Sequence, residues 1–215
     1  MGCNINFIGK RKILIIGTKD FRSVSHKIIF DRIELGTYLI AAALAGKKVI
    51  FFKIKPKIIG TEIKLLKKMG VRMKVEKNKI TILESFRLNR ANIKTKPYPG
   101  FPTDHQAQMM VLMLRASGTS KITENIFENR FMHVPELRRM GAKIITKKNV
   151  ALISGPSKLS GAEVMATDLR ASVSLVLAAL IAENRTVINR VYHLDRGYEN
   201  LEKKLKKCNA AINRV

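Results

Sequence analysis

The 215-residue sequence predicts an α/β (α+β) fold that contains three repeats of a βαβαββ unit. Three observations predict it. An Asp precedes each of three Ala-, Leu- or Met-rich stretches of helical length, a Gly or Asn follows the second helix of each repeat, and β-rich runs lie between these signals. A single repeat cannot bury both its helices and its sheet faces, so the three repeats are expected to share one core.

The three helix starts are marked by Asp31, Asp104 and Asp168. A carboxylate at the start of a helix accepts hydrogen bonds from backbone N–H groups that have no partner within the helix, and it complements the helix dipole. Spacing alone therefore favours a capping role for all three residues.

A short β-rich run follows each of these helices, and a second helix follows each run. Gly70, Gly141 and Asn209 mark the ends of the second helices, because Gly and Asn tolerate the left-handed backbone that stops a helix. The distances from Asp to stop are 39, 37 and 41 residues, which is too regular for coincidence. The predicted β runs are residues 48–53, 120–124 and 185–191.

Another apolar alternation follows each helix stop. Two of these runs continue into hairpins through polar turns at residues 77–79 and 147–149. The strand before the first helix of a repeat also recurs, because residues 16–21 resemble residues 154–159. The alternating runs are residues 71–75, 142–146 and 210–215. We therefore expect one domain over residues 1–215, with repeats at about 8–86, 87–155 and 156–215.

The net charge of +25 would by itself suggest a polyanionic partner. The basic residues are scattered over nearly every predicted surface, and there is no Trp, no recognition-helix pattern and no aromatic series among them. A uniformly solvated basic surface is therefore favoured, and a nucleic-acid-binding protein is the less favoured alternative.

Other compositional features predict a cytoplasmic protein. The longest uncharged apolar runs, residues 35–46 and 171–182, are too short to span a bilayer, and the apolar run near the N-terminus is too short for a signal sequence. Cys3 and Cys208 lie far apart, which favours reduced thiols. No metal-ligand spacing occurs among the histidines, so neither a metal nor another cofactor is predicted.

Five motifs carry a resemblance to a known family: residues 31–37 (DRIELGT), 101–108 (FPTDHQAQ), 127–133 (FENRFMH), 166–172 (ATDLRAS) and 193–199 (HLDRGYE). They resemble the UDP-N-acetylglucosamine 1-carboxyvinyltransferase family of enolpyruvyl transferases, in the C-terminal half of those proteins. The resemblance implies an inside-out α/β barrel that faces a second, similar domain across a cleft. It also implies transfer of the enolpyruvyl group of phosphoenolpyruvate to the 3′-hydroxyl of UDP-N-acetylglucosamine, the first committed step of peptidoglycan precursor synthesis.

The resemblance also implies the site residues. Asp104 would contact the sugar hydroxyl and act as the base, and Arg196 would reach phosphoenolpyruvate when the cleft closes. Asp168 could orient a neighbouring arginine or cap its helix, and any one arginine could instead form a surface ion pair. The further substrate contacts implied by the motifs are Ile126 through its backbone, Arg130 and Arg170.

The resemblance implies that this chain holds half of a composite active site. In the family, a loop of the other domain carries the Cys or Asp that protonates the enolpyruvyl group, and neither Cys3 nor Cys208 matches it. Activity of the chain alone is therefore not expected. A split enzyme with a separate partner polypeptide, a gene remnant, a domain of a longer chain and a nucleotide-sugar-binding module all remain open.

Overall fold

The computed structural model describes all 215 residues and divides them into two compact units, Met1–Phe30 and Asp31–Val215. The smaller unit holds an antiparallel hairpin of β1 (Asn4–Ile8) and β2 (Lys12–Ile16), with Gly9 in the left-handed region at its turn. The apolar side chains of this hairpin, such as Phe7 and Ile15, are exposed.

The first repeat of the larger unit begins with a buried helix and ends with a three-stranded antiparallel sheet. The strand order is β3-β5-β4, and a 3-10 turn (Pro56–Ile59) runs directly into the second helix. Its elements are α1 (Arg32–Ala45), β3 (Lys48–Phe52), α2 (Gly60–Lys68), β4 (Met73–Glu76) and β5 (Lys79–Leu83).

The second repeat has the same order of elements and adds two short strands before its first helix. Its sheet has the order β6-β8-β10-β9; β6 and β7 run parallel to β8, and β10 is antiparallel to both β8 and β9. The elements are β6 (Leu88–Asn89), β7 (Asn92–Lys94), a 3-10 turn (Thr103–His105), α3 (Gln106–Met113), β8 (Ala116–Thr123), α4 (Val134–Arg139), β9 (Ile144–Lys147) and β10 (Val150–Gly155).

The third repeat contains one parallel pair, β11 with β12. A strand predicted at residues 210–215 is wrong, because these residues are irregular. A strand needs a hydrogen-bonded neighbour. In the first two repeats that neighbour is β5 or β10, and no such strand lies beside β12. The elements are β11 (Glu163–Met165), α5 (Leu169–Ala179), β12 (Val187–Asn189), α6 (Tyr192–Asp195) and α7 (Leu201–Lys207).

The predicted helix stops are confirmed by the backbone. Gly70 and Gly141 have φ angles of 90° and 93°, and Asn209 has a φ of 66°. These values lie in the left-handed region that Gly adopts without strain and that Asn tolerates better than most residues.

The first helices of the three repeats, α1, α3 and α5, pack together at the centre, with the sheets around them. Every residue of α3 is buried. At the point where the repeats meet, the Tyr198 hydroxyl lies 2.9 Å from Thr37 Oγ1, and Gln108 Nε2 donates to both oxygens at 3.1 and 3.3 Å. A buried helical centre surrounded by sheets is the predicted inside-out α/β barrel.

The first and second repeats also meet at a fully buried histidine. His105 Nδ1 lies 3.1 Å from Glu62 Oε1, and its Nε2 lies 3.0 Å from the carbonyl oxygen of Ile33. The ring occupies the space where a Cβ on Gly36 would stand, so only Gly allows α1 to approach it this closely.

None of the helices combines the length and the apolar composition needed to cross a membrane.

Candidate functional site

Asp104 uses its carboxylate differently from the aspartates at the equivalent places in the other repeats. It lies within the 3-10 turn before α3, and neither that turn nor α3 has a side-chain cap. Its Oδ1 lies 3.2 Å from Arg130 Nη2 and 3.5 Å from Arg170 Nε. The carboxylate is 34% exposed, so it is held by two cations and still open to solvent.

Asp31 and Asp168 are helix caps. Asp31 Oδ1 accepts from the backbone N–H groups of Ile33 and Glu34 at 2.7 and 3.2 Å. Asp168 Oδ1 accepts from those of Arg170 and Ala171 at 2.8 and 2.9 Å. The capping interpretation is confirmed for these two aspartates and wrong for Asp104.

Two of the predicted arginines meet at Asp104. Arg130 comes from the loop before α4, and its guanidinium lies 5.2 Å from the centre of the Phe127 ring. Arg170, near the start of α5, lies over the Tyr198 ring at 5.9 Å, and its Nη1 is buried without a protein hydrogen-bond partner. Such a nitrogen can donate to an oxygen of a bound anion, since guanidinium groups match carboxylate and phosphate geometry.

Arg196 does not join this cluster. It follows α6, it is exposed, and it forms no ion pair. The next residue, Gly197, packs against Leu169 at the start of α5, where a Cβ would collide with the leucine side chain. The segment that carries Arg196 therefore lies beside the beginning of the helix that carries Arg170.

Ile126 has one free backbone group. Its N–H donates to Glu124 Oε1 at 2.8 Å, and no protein donor reaches its carbonyl oxygen. A backbone contact between Ile126 and a ligand would therefore be made by the carbonyl. The surrounding loop, with Lys148 and Asn149, lines an open concavity of about 520 Å³.

The structure adds two residues that the sequence did not single out as site residues. Glu124 is a buried carboxylate at the end of β8. His133 is buried beside Arg130 and Asp168; burial is the main cause that lowers the pKa of its imidazole to about 4, Asp168 opposes the shift, and Arg130 adds to it. His133 is therefore neutral at pH 7. Nothing in the local sequence distinguishes either residue from a surface acid or an ordinary core histidine.

No group of three or more His, Cys, Asp and Glu side chains is arranged to hold a metal ion.

The fold and the site define the class of protein. The enolpyruvyl transferase NikO from Streptomyces tendae superposes with a TM-score of 0.88 at 30% identity, over 99% of this chain and 51% of that one. The EPSP synthase of Acinetobacter baumannii has the same fold, with a TM-score of 0.74 at 16% identity over 96% of this chain and 51% of that one. The fold is thus that of the enolpyruvyl transferases.

The family follows from the sequence match. Residues 1–205 match the family model of EPSP synthase (3-phosphoshikimate 1-carboxyvinyltransferase), and the chain belongs to this family. Over its full length it is 57% identical to the UDP-N-acetylglucosamine 1-carboxyvinyltransferase of Pelagibacter ubique, and 51% identical to the UDP-N-acetylglucosamine 1-carboxyvinyltransferase 2 of Mesorhizobium japonicum. It covers 52% and 51% of these two proteins, so the chain spans about half the length of the curated relatives it matches.

Proposed function

We propose that this chain supplies one half of the active site of an enzyme that transfers the enolpyruvyl group of phosphoenolpyruvate to the 3′-hydroxyl of UDP-N-acetylglucosamine. The observation that carries the proposal is the cluster of Asp104, Arg130 and Arg170. The names of the two curated relatives support UDP-N-acetylglucosamine over a shikimate as the acceptor.

The cluster suits the chemistry of this transfer. A sugar hydroxyl must lose its proton as its oxygen bonds to C2 of the enolpyruvyl group, while the electron pair of the double bond takes up a proton at C3 from an acid of the other domain. Loss of a proton from C3 then restores the double bond as the bond from C2 to the phosphate oxygen breaks, and phosphate leaves. Asp104 is an acceptor for the proton of the hydroxyl. Arg130 and Arg170, joined by Arg196 when the cleft closes, would hold the carboxylate and phosphate oxygens of the donor.

The third repeat supports the proposal that the other half is contributed by further polypeptide. β12 pairs on one edge with β11, and its other edge is open. In the first two repeats the corresponding strands, β3 and β8, each pair with an antiparallel hairpin strand. An open edge accepts a strand from elsewhere. From its two unpaired cysteines, we propose that the chain acts in the cytoplasm.

The test is phosphate release from phosphoenolpyruvate and UDP-N-acetylglucosamine. The purified chain is assayed alone, with the N-terminal half of the Pelagibacter relative, and with the C-terminal half of that relative. Release with one of the two halves and not with the other is expected, because this chain supplies one half of the site. Release by the chain alone would overturn the half-site.

Matched variants test the site itself. Asp104→Asn is expected to abolish phosphate release in the active mixture without unfolding the chain, because Asn cannot accept the sugar proton. Asp20→Asn, at an exposed position of the smaller compact unit, is the control and should leave the rate unchanged. An Asp104→Asn mixture as active as the control would contradict the proposed base.

A nucleotide-sugar-binding module is the second candidate. The concavity beside Ile126 favours it, because a loop carbonyl and Lys148 there could contact a sugar nucleotide without chemistry. Saturable binding of UDP-N-acetylglucosamine to the chain, with no phosphate release in either mixture, would support this candidate over the transferase.

A further inference from the structure

We propose that Glu124 is a positioning residue, which fixes the loop of Ile126 and Phe127 to the turn that carries Asp104. This inference rests on the proposed function for its kinetic consequences. Its structural part concerns only hydrogen bonds within this chain and can be tested on the chain alone.

Both oxygens of the Glu124 carboxylate accept hydrogen bonds, although the residue is only 2% exposed. Oε1 accepts from Thr95 Oγ1 at 2.7 Å and from the N–H groups of Ile126 and Phe127 at 2.8 and 3.3 Å. Oε2 accepts from Thr103 Oγ1 at 2.8 Å. Four donors therefore meet one buried carboxylate.

No Lys or Arg pairs with Glu124, which makes these hydrogen bonds essential to its burial. A buried charge is costly unless hydrogen bonds replace its hydration. The backbone of Glu124 is also held, because its N–H donates to the carbonyl oxygen of Asn149 at 2.8 Å and its carbonyl accepts from Asn149 Nδ2 at 2.9 Å. The carboxylate thus stands on a rigid base at the end of β8.

The two oxygens act on the two parts of the candidate site. Oε2 holds Thr103, the residue directly before Asp104. Oε1 holds the amide of Phe127, whose ring lies under the guanidinium of Arg130, and Arg130 in turn pairs with Asp104. A closed ring of contacts therefore runs from Glu124 through Thr103, Asp104, Arg130 and Phe127 back to Glu124.

The ring also determines which backbone group of Ile126 faces a ligand. Because Glu124 occupies the Ile126 N–H, the peptide plane is fixed and the carbonyl remains available. Removal of the carboxylate would free the N–H and let this peptide rotate. The geometry thus connects a residue that touches no substrate to the acceptor site and to the proposed base.

The first measurement is amide hydrogen exchange on the chain alone. In Glu124→Ala, the Ile126 and Phe127 amides are expected to exchange about 10- to 100-fold faster, which corresponds to the loss of a hydrogen bond to a charged group. The amide of Leu114, a buried helix-end residue that donates to Met110, serves as the reference and should not change. Unchanged exchange at Ile126 and Phe127, or equal acceleration at Leu114, would overturn the proposal.

The second measurement separates binding from turnover in the active mixture of halves. Glu124→Ala should raise the KM for UDP-N-acetylglucosamine about 10-fold or more and lower kcat, whereas Thr103→Val should lower kcat with little change in KM, because it frees only the Asp104 turn. Glu124→Gln should bring both KM and kcat most of the way back to the values of the unchanged chain. Its amide oxygen can keep the contacts with the loop, and the Thr103 hydroxyl can accept a hydrogen bond from its amide nitrogen.

The outcomes distinguish the two proposals. Failure of every mixture with the unchanged chain would refute the proposed function, and the exchange experiment would still decide the role of Glu124. Equal loss of kcat in Glu124→Ala and Glu124→Gln, with KM unchanged, would contradict positioning. If Glu124→Ala does not fold, amide exchange of Ile126 and Phe127 is measured in Thr103→Val and in Glu124→Gln instead. In both variants the two amides should exchange at rates close to those of the unchanged chain. Faster exchange in Thr103→Val would contradict the separate roles of the two carboxylate oxygens.

Discussion

Acidification should destabilise this chain in a way that one substitution, His133→Gln, removes. His133 is fully buried in a neutral state, with its pKa lowered from 6.5 to about 4 mainly by burial. In the unfolded chain the same imidazole binds a proton at its ordinary pKa. The unfolded state therefore binds more protons than the folded state between these two values, and stability falls as the pH falls through this window.

The magnitude follows from the size of the shift. A difference of about 2.5 pKa units, at about 1.4 kcal/mol per unit, gives a loss of about 3 kcal/mol in the free energy of unfolding between pH 6.5 and pH 4. Above pH 6.5 the contribution is fully present, and below about pH 4 no more is lost. Since domains are stable by about 5–15 kcal/mol, the effect is large.

The assay is urea unfolding at several pH values across this window. Carboxylates also titrate in this pH range, but they do so in the unchanged chain and in the variant alike. The difference between the pH profiles of the two proteins therefore isolates the contribution of His133. His133→Gln should show a profile flatter by about 3 kcal/mol. The control is His26→Gln, at an exposed position of the smaller compact unit. If His133→Gln follows the profile of the unchanged chain, the assignment of a buried neutral imidazole is refuted.

Five further substitutions test the packing and the capping by urea unfolding. Gly36→Ala should destabilise by about 1–3 kcal/mol through collision with the buried histidine ring, whereas Gly60→Ala, with open space and a helical φ of −62°, should stabilise by about 0.5–1 kcal/mol; equal effects would contradict the collision. Tyr198→Phe should cost about 1–2 kcal/mol, because a buried hydroxyl bonded at the junction of the three repeats is lost; no change would contradict that bonding. Asp31→Ala should cost about 1 kcal/mol as a lost cap, and Asp104→Ala less than about 0.5 kcal/mol; the reverse order would make Asp104 the cap.

The repeat pattern and most helix boundaries could be predicted because they depend on local chemistry. An Asp at a helix start and a Gly or Asn at a helix end act on backbone groups only a few residues away. The sequence around each helix end therefore contains both the capping residue and the groups that it affects. Asp31, Asp168, Gly70 and Gly141 all behave as predicted.

The departures depend on distant residues. The cap and the ion-paired carboxylate are the same residue type at the same place in a repeat, and Asp104 is distinguished by Arg130 and Arg170, which lie far along the chain. The motif resemblance, rather than the spacing, is the reason for proposing Asp104 as a site residue. Residues 210–215 carry a strand-like alternation, yet alternation cannot supply the neighbouring strand that a sheet requires.

One position thus caps a helix in two repeats and is left to pair with arginines in the third. At the starts of α1 and α5 the Asp side chain accepts hydrogen bonds from two backbone N–H groups of the helix, while α3 begins without a side-chain cap. A missing cap costs about 1 kcal/mol. The following residue holds this helix start in another way, because His105 is fully buried and its ring nitrogens lie 3.1 Å from Glu62 Oε1 and 3.0 Å from the carbonyl oxygen of Ile33. The helix start is held by the first repeat through His105, and the Asp104 carboxylate is thereby available to the two arginines.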